Sequence, residues 1–239
     1  MKPATRSLSE PPQPVLLSTP PEIDGKPPEL LEHLEPATRA AVQALGSARG
    51  YRGGEVLFRQ GDVHDGIHLI RSGTIKSFYV SEDGRELTLG YWTAGHYVGA
   101  PQLFGGGRHA WTSVAMAPSR CLWLPGPELR ALSRQHADLA LALTDALVHK
   151  SQCYCALLQL LATHSMRVRL ARLLAMLAAR PIARPALIDL SHTELAGMIG
   201  STRQWVSLSL ARFEGEALLD RLPDGTYLVR DPKALGAVR

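Results

Sequence analysis

Apolar residues recur at helical spacing from Leu30, through Leu31, Leu34, Ala37, Ala41, Val42 and Leu45, until Gly46 and Gly50 close the pattern. The spacing predicts one amphipathic helix at the start of the folded chain. From Tyr51 to Trp123 the period changes to short apolar runs: Val56-Leu57-Phe58, Ile67 to Ile70, Thr74 to Val80, Leu87 to Trp92, Thr112 to Ala115 and Cys121 to Leu124. The breaks between them are Gly53-Gly54, Gly61-Asp62, Ser72-Gly73, Asp83-Gly84 and Gly95. Runs of this length between turn residues predict an antiparallel sandwich or barrel of about 70 residues, with Asp83-Gly84 as its clearest hairpin turn.

From Pro127 to about Ala162 glycine and further proline disappear, while Leu139, Leu143, Leu147, Tyr154, Leu158 and Leu161 form a stripe that Ser151 interrupts. A helix of about 30 residues would extend roughly 45 Å, more than a small domain is wide, so part of its stripe calls for a partner chain. The residues expected on that dimer helix are Leu143, Leu147, Tyr154, Leu158 and Leu161. A further helix over Arg167 to Ala179 ends at Pro181 and Pro185, and a short strand follows over Leu187 to Leu190. Two helices and a pair of short strands about Pro223-Asp224-Gly225, within Leu218 to Arg230, complete the order of a winged helix-turn-helix.

The stretch Leu190 to Glu214, LSHTELAGMIGSTRQWVSLSLARFE, carries the strongest chemistry. Ser191 with Glu194 three residues on forms a capping box, and Leu195, Met198 and Ile199 make the buried face of the short helix it starts. Gly200 supplies the turn. Thr202 caps a second helix whose Val206, Leu210 and Phe213 face inward, which turns Arg203, Gln204, Ser207 and Arg212 outward. An arginine in the first turn of such a helix can donate two parallel hydrogen bonds to guanine, and glutamine can pair with adenine or a phosphate. Ser191, His192, Thr193, Ser201 and Thr202 lie at helix N-termini, where hydroxyls and free amides suit phosphate oxygens.

Charge sharpens this picture. The net charge of +4 arises entirely from Thr163 onward, where eleven Lys/Arg face seven Asp/Glu, while residues 1–162 hold fifteen of each. A surplus confined to the helix-turn-helix segment suits an anionic partner. Eight prolines fall within residues 1–28, which read as an extended, disordered tail. No apolar run reaches the roughly 18 residues of a membrane span, and Cys121, Cys153 and Cys155 are too few for a disulfide framework. A reducing cytoplasm is the expected compartment.

The chain resembles the CRP/FNR family of bacterial transcription regulators. EVLFRQGD (Glu55 to Asp62), IHLIRSGTIK (Ile67 to Lys76), DGRELTLGYWTAGHYVG (Asp83 to Gly99) and the recognition helix fit that family in order. The resemblance implies an α+β chain: a double-stranded, jelly-roll-like β-roll of the cyclic-nucleotide-binding type, a long dimerisation helix and a C-terminal winged helix-turn-helix. The expected boundaries are 1–28 for the tail, 29–126 for the effector domain, 127–162 for the dimer helix and 163–239 for the DNA-binding domain. It also implies a homodimer on a palindromic operator, with double-stranded DNA and RNA polymerase as partners, no membrane and no enzymatic activity. Arg203 matches the guanine-reading arginine, whereas Gln204 and Leu208 stand where the family usually has Glu and Arg.

Cyclic-AMP-responsive members bind the ribose with a Gly-Glu pair and the cyclic phosphate with an Arg-Ser pair. The matching residues are Gly99-Ala100 and Arg108-His109, and Tyr154 and Cys155 replace the Thr-Ser pair that meets the adenine. Losing the ribose-binding Glu leaves the 2′-hydroxyl without its acceptor, which argues against cyclic AMP. Gly105-Gly106-Gly107 could still offer amides to an anion. An iron-sulfur cluster needs four cysteines, which the chain lacks. No metal site is expected, since Cys153 and Cys155, two apart on a helix, point away from each other. Some family members bind haem, and His64, His68, His96 and His109 lie in the roll segment, although most such histidines are surface or satisfied core residues. The effector is therefore unknown, with haem or a small anionic ligand open. The alternative readings are a haem, gas or redox sensor whose output is a protein partner and, further off, a barrel enzyme.

Overall fold

A computed structural model describes residues 30–99, 103–178, 187–188 and 190–239. The tail 1–28, Ala100, Pro181, Pro185 and Asp189 lie outside the described residues. The chain divides into two compact units, one running through Phe78 and including Gly90–Gln152, the other made of Tyr79–Leu89 and Cys153–Arg239.

In the first unit, Leu30, Leu31 and Leu34 lie buried in a turn that precedes helix α1 (Pro36–Leu45). Periodicity predicts helix from Leu30, but Pro36 at the first helical turn fixes where α1 begins. The roll strands are β1 (Ser47–Tyr51), β2 (Val56–Phe58), β3 (Gly66–Ser72), β4 (Ile75–Val80), β5 (Glu86–Trp92), β6 (Tyr97–Val98), β7 (Thr112–Ala115) and β8 (Ser119–Pro125). They form two four-stranded sheets, ordered β1-β8-β3-β6 and β2-β7-β4-β5. β8 pairs antiparallel with β1 and β3, with His68 opposite Trp123. Gly66 is required where β3 meets β8, since a Cβ there would stand 2.1 Å from the Leu124 carbonyl oxygen.

One expected long helix is two: α2 (Gly126–Gln135) and α3 (Ala137–Thr163). His136 leaves the helical region at φ −125°, ψ 101°, and Asp138 at the start of α3 accepts from the Glu35 amide (2.9 Å) and Thr38 hydroxyl (3.1 Å). These bonds hold the break against α1. The core of this unit joins Leu30, Val42, Ile67, Leu69, Tyr97, Leu124, Leu129, Leu139 and Leu143, so the helices cover one face of the β3–β8 sheet. Each such side chain contributes about 2 kcal/mol by leaving water.

The second unit contains α4 (Met166–Ala178), β9 (Leu187–Ile188), α5 (His192–Ile199), α6 (Arg203–Gly215), β10 (Leu219–Arg221), β11 (Tyr227–Val229) and α7 (Pro232–Gly236). Its sheet has the order β10-β11-β9, antiparallel throughout. Leu170, Leu174, Leu195, Ile199, Val206, Leu210, Phe213 and Leu235 supply its buried apolar positions.

Candidate functional site

The capping box expected at α5 is present: the Ser191 hydroxyl accepts from the Glu194 amide (3.2 Å) and the Glu194 carboxylate accepts from the Ser191 amide (2.8 Å). Gly200 ends α5 in the left-handed region, at φ 67°, ψ 41°, which a side chain would strain. Thr202 then accepts from the Trp205 amide (3.2 Å) and starts α6. Val206, Ser209, Leu210 and Phe213 bury the inner face. Arg203, Gln204, Ser207, Leu208 and Arg212 are left exposed, as helical spacing predicts.

The remaining expected contacts differ in what their side chains are free to do. Thr193 is exposed. Ser201 donates from its hydroxyl to the Met166 sulfur (3.4 Å) and from its amide to the Ala196 carbonyl (2.9 Å), and the Thr202 hydroxyl is committed to its cap, so neither side chain is free and what remains for a phosphate is the start of α6. His192 is half-buried, its Nδ1 3.0 Å from the Ser207 hydroxyl and its Nε2 3.3 Å from the Tyr227 hydroxyl. Burial first, then the Arg203 and Arg221 cations, hold its pKa below the usual histidine value. Arg221 on β10 is exposed and thus adds a cation beside α6 that the sequence reading missed. Its place in the wing strand could have signalled it. Arg203, Arg212 and Arg221 make no ion pair among the described residues, whereas Arg230 is tied to Asp220 by two bonds of 2.6 and 2.7 Å. Three uncommitted guanidinium groups thus remain available to phosphates and base edges.

In the first unit, the expected effector positions separate. Arg108 is exposed and donates to the Gly61 carbonyl (2.7 Å), so its guanidinium is engaged at the surface loop. His109 is buried and stacked on Phe58, with ring centroids 3.8 Å apart, and lies 4.5 Å from the ring of His64. His64 donates from Nε2 to the Gly99 carbonyl, which leaves its Nδ1 as a lone pair. His68 is 4% exposed, and neither ring nitrogen has a hydrogen-bond partner among the described residues. Desolvation dominates the titration of these rings: His68 is pushed down to about 3 and His109 to about 4. All four roll histidines are buried rather than at the surface; His64 and His96 each bond through one ring nitrogen, to the Gly99 and Thr93 carbonyls, and His68 through neither among the described residues.

Two residues absent from the sequence-derived site lie deeper. Lys150 of α3 is buried, its ammonium 3.4 Å over the Trp92 ring and 4.9 Å from that of Tyr97. His96 and His149 stand beside it with ring centroids 5.6 Å apart, and burial together with the Lys150 charge pushes His96 down to about 3. A lysine and a histidine inside an apolar helical stripe were the available signal. Among the described residues, no three His, Cys, Asp or Glu side chains are placed to hold a metal ion. No described helix is long and apolar enough to cross a membrane.

Along α3 the expected dimer-helix residues do not share one environment. Leu143 is buried in the first unit's core and Leu147 packs against that core. Tyr154 and Leu161 are partly buried, Leu158 is 66% exposed and Cys155 is exposed. Leu141 (66%) and Val148 (49%) are exposed as well, seven residues apart and in register with Cys155.

A family profile described as a cyclic nucleotide-binding domain matches residues 48–136, and one described as a Crp-like helix-turn-helix domain matches residues 168–238. The cyclic AMP receptor protein of Thermus thermophilus is 29% identical over 187 residues, 78% of this chain and 85% of that protein. The fumarate and nitrate reduction regulatory protein of Salmonella typhimurium is 29% identical over 191 residues, 77% of this chain and 75% of its own. Among solved structures, the c-di-GMP responsive regulator CLP of Xanthomonas campestris superimposes with a TM-score of 0.74 at 21% identity, covering 82% of this chain and 100% of its own. CooA of Carboxydothermus hydrogenoformans gives a TM-score of 0.67 at 22% identity, covering 89% and 94%. With its nucleotide-binding-type roll and its Crp-like helix-turn-helix both matched, in that order, the chain belongs to the CRP/FNR family of DNA-binding transcription regulators.

Proposed function

We propose that the protein acts as a homodimer on a two-fold symmetric operator, with α6 of each protomer in one major-groove half-site. The observation that carries this reading is the exposed face of α6, where Arg203, Gln204 and Ser207 project from a capped N-terminus while Val206, Leu210 and Phe213 anchor the opposite face. Arg203 reads guanine, and Arg212 and Arg221 contact phosphates. Arg203→Ala is expected to cost about 1–3 kcal/mol of specific binding and to relax preference at one base pair, measured by gel shift and footprinting. Unchanged affinity and footprint in that variant contradict the assignment.

The pairing surface in this reading is the exposed seam Leu141, Val148, Cys155 and Leu158 of α3. Apolar residues at seven-residue spacing on a helix of 27 residues suit a parallel coiled coil. RNA polymerase is the partner through which the bound dimer acts. Regulation comes from a small ligand in the roll other than cyclic AMP, since Ala100 replaces the ribose-binding acid and Arg108 is committed to Gly61. Such a ligand must bind the DNA-competent dimer more tightly than the incompetent one. A mass spectrum and absorbance scan of the purified protein test for a co-purified ligand, a Soret band marking haem.

A further inference from the structure

His192 sits at the first position of α5 and touches two elements at once. Its Nδ1 lies 3.0 Å from the hydroxyl of Ser207 on α6, and its Nε2 lies 3.3 Å from the hydroxyl of Tyr227 on β11. The Tyr227 ring is buried, with its centroid 5.9 Å from the imidazole. Nothing about a phosphate contact requires this arrangement, and both nitrogens that such a contact would use are taken. We propose that His192 is a positioning residue, which bolts the recognition helix to the wing through Ser207 and Tyr227 and orients the Ser207 hydroxyl on the base-reading face. This rests on the reading of α6 as the DNA-contacting helix.

The chemistry of the bridge sets a direction. A neutral imidazole has one N–H and one lone pair, so one hydroxyl donates to the ring and the other accepts from it. The phenol is the more acidic hydroxyl and the better donor. Tyr227 therefore donates to Nε2, Nδ1–H donates to the Ser207 oxygen, and the Ser207 proton turns outward as a donor for an acceptor on the DNA. Neutrality is favoured first by the ring's burial and then by the Arg203 and Arg221 charges of α6 and β10, which oppose a third cation. Arg203 and Ser207 are four residues apart on one helix face, so a hydroxyl fixed here lies beside the guanine-reading arginine.

Two readouts on the full-length protein test the bridge. Without DNA, imidazole nitrogen NMR of the wild type is expected to show His192 as a single neutral tautomer with the proton on Nδ1, lost in Tyr227→Phe and in the surface variant Ser207→Ala. A mixed tautomer population in the wild type, or one unaffected by both substitutions, overturns the bridge. With duplexes selected from a random pool, His192→Ala and Tyr227→Phe are expected to narrow the preference for the selected over a scrambled sequence about three- to tenfold. The slope of log affinity against log salt stays unchanged, and His192→Gln, whose amide both donates and accepts, recovers more than half of the loss. A uniform loss on all duplexes with the salt slope reduced by about one in His192→Ala makes His192 a phosphate contact and overturns the proposal. A wild type that enriches no duplex refutes the DNA-contacting role of α6, while the spectrum of the free protein still decides whether the bridge exists.

Discussion

Single imidazoles in the roll carry an acid lability. His68, His96 and His109 are 4%, 4% and 5% exposed, and burial pushes them down to about 3, 3 and 4. The unfolded chain protonates these rings near pH 6.5 while the folded chain does not, so the unfolded state binds more protons between the two values. Stability is therefore full above about pH 6.5 and falls as pH drops toward 4, by about 1.4 kcal/mol per pH unit for each ring. Urea unfolding at pH 7.5 and 5.5 is expected to show this loss, and His68→Leu should remove one ring's share of it, with His64, His149 and His192, also lowered by burial, carrying part of the rest. A wild-type stability that is flat across that range contradicts the neutral, dry environment. At this scale the sequence was informative where local spacing decides, as with the Ser191 and Glu194 box. It was silent where the answer depends on which strand lies opposite, as with His68 across from Trp123.

Among the elements, the join between α3, α4 and α5 depends on one side chain. Arg169 donates from Nε to the His164 carbonyl (2.8 Å), from one terminal nitrogen to the Ile199 carbonyl (3.2 Å) and from the other to the Leu161 carbonyl. These carbonyls lie at helix ends and have no intrahelical donor to replace it. Arg169→Met is expected to lower unfolding stability by roughly 2–3 kcal/mol in a urea titration, with Arg169→Lys recovering only part, since an ammonium cannot span three carbonyls. An Arg169→Met protein as stable as the wild type refutes the clamp. Strands β2, β3, β4, β5, β7 and β8 were legible because turn glycines bracket apolar runs. β1 was not, because its sequence SARGY is exposed but for Tyr51, and β6 is only two residues long. α7 carried a readable signal that the sequence reading left unused: Asp231 accepts from the amides of Lys233 and Ala234, and Pro232 follows it directly.

For the molecule as a whole, the proposed dimer turns on the stripe along α3. Helical periodicity set Leu143 and Leu158 on one stripe, since both are apolar and only about 60° apart around the axis; burial separates them along the helix, Leu143 lying in the core and Leu158 in the open. Leu158→Glu is expected to yield a folded monomer in sedimentation velocity with unchanged circular dichroism, whereas Leu143→Ala should cost about 2–5 kcal/mol of stability without changing the assembly. A Leu158→Glu protein that remains dimeric moves the seam elsewhere. A dimer with two recognition helices reads DNA in a way that a single domain cannot. The decisive measurement is selection of binding sites by the full-length protein from random duplexes, repeated with Arg203→Ala. The account predicts two inverted half-sites about 10 base pairs apart, centre to centre, each with a guanine whose enrichment disappears in the variant. Enrichment of a single asymmetric site, or of the same sequence by both proteins, would contradict it.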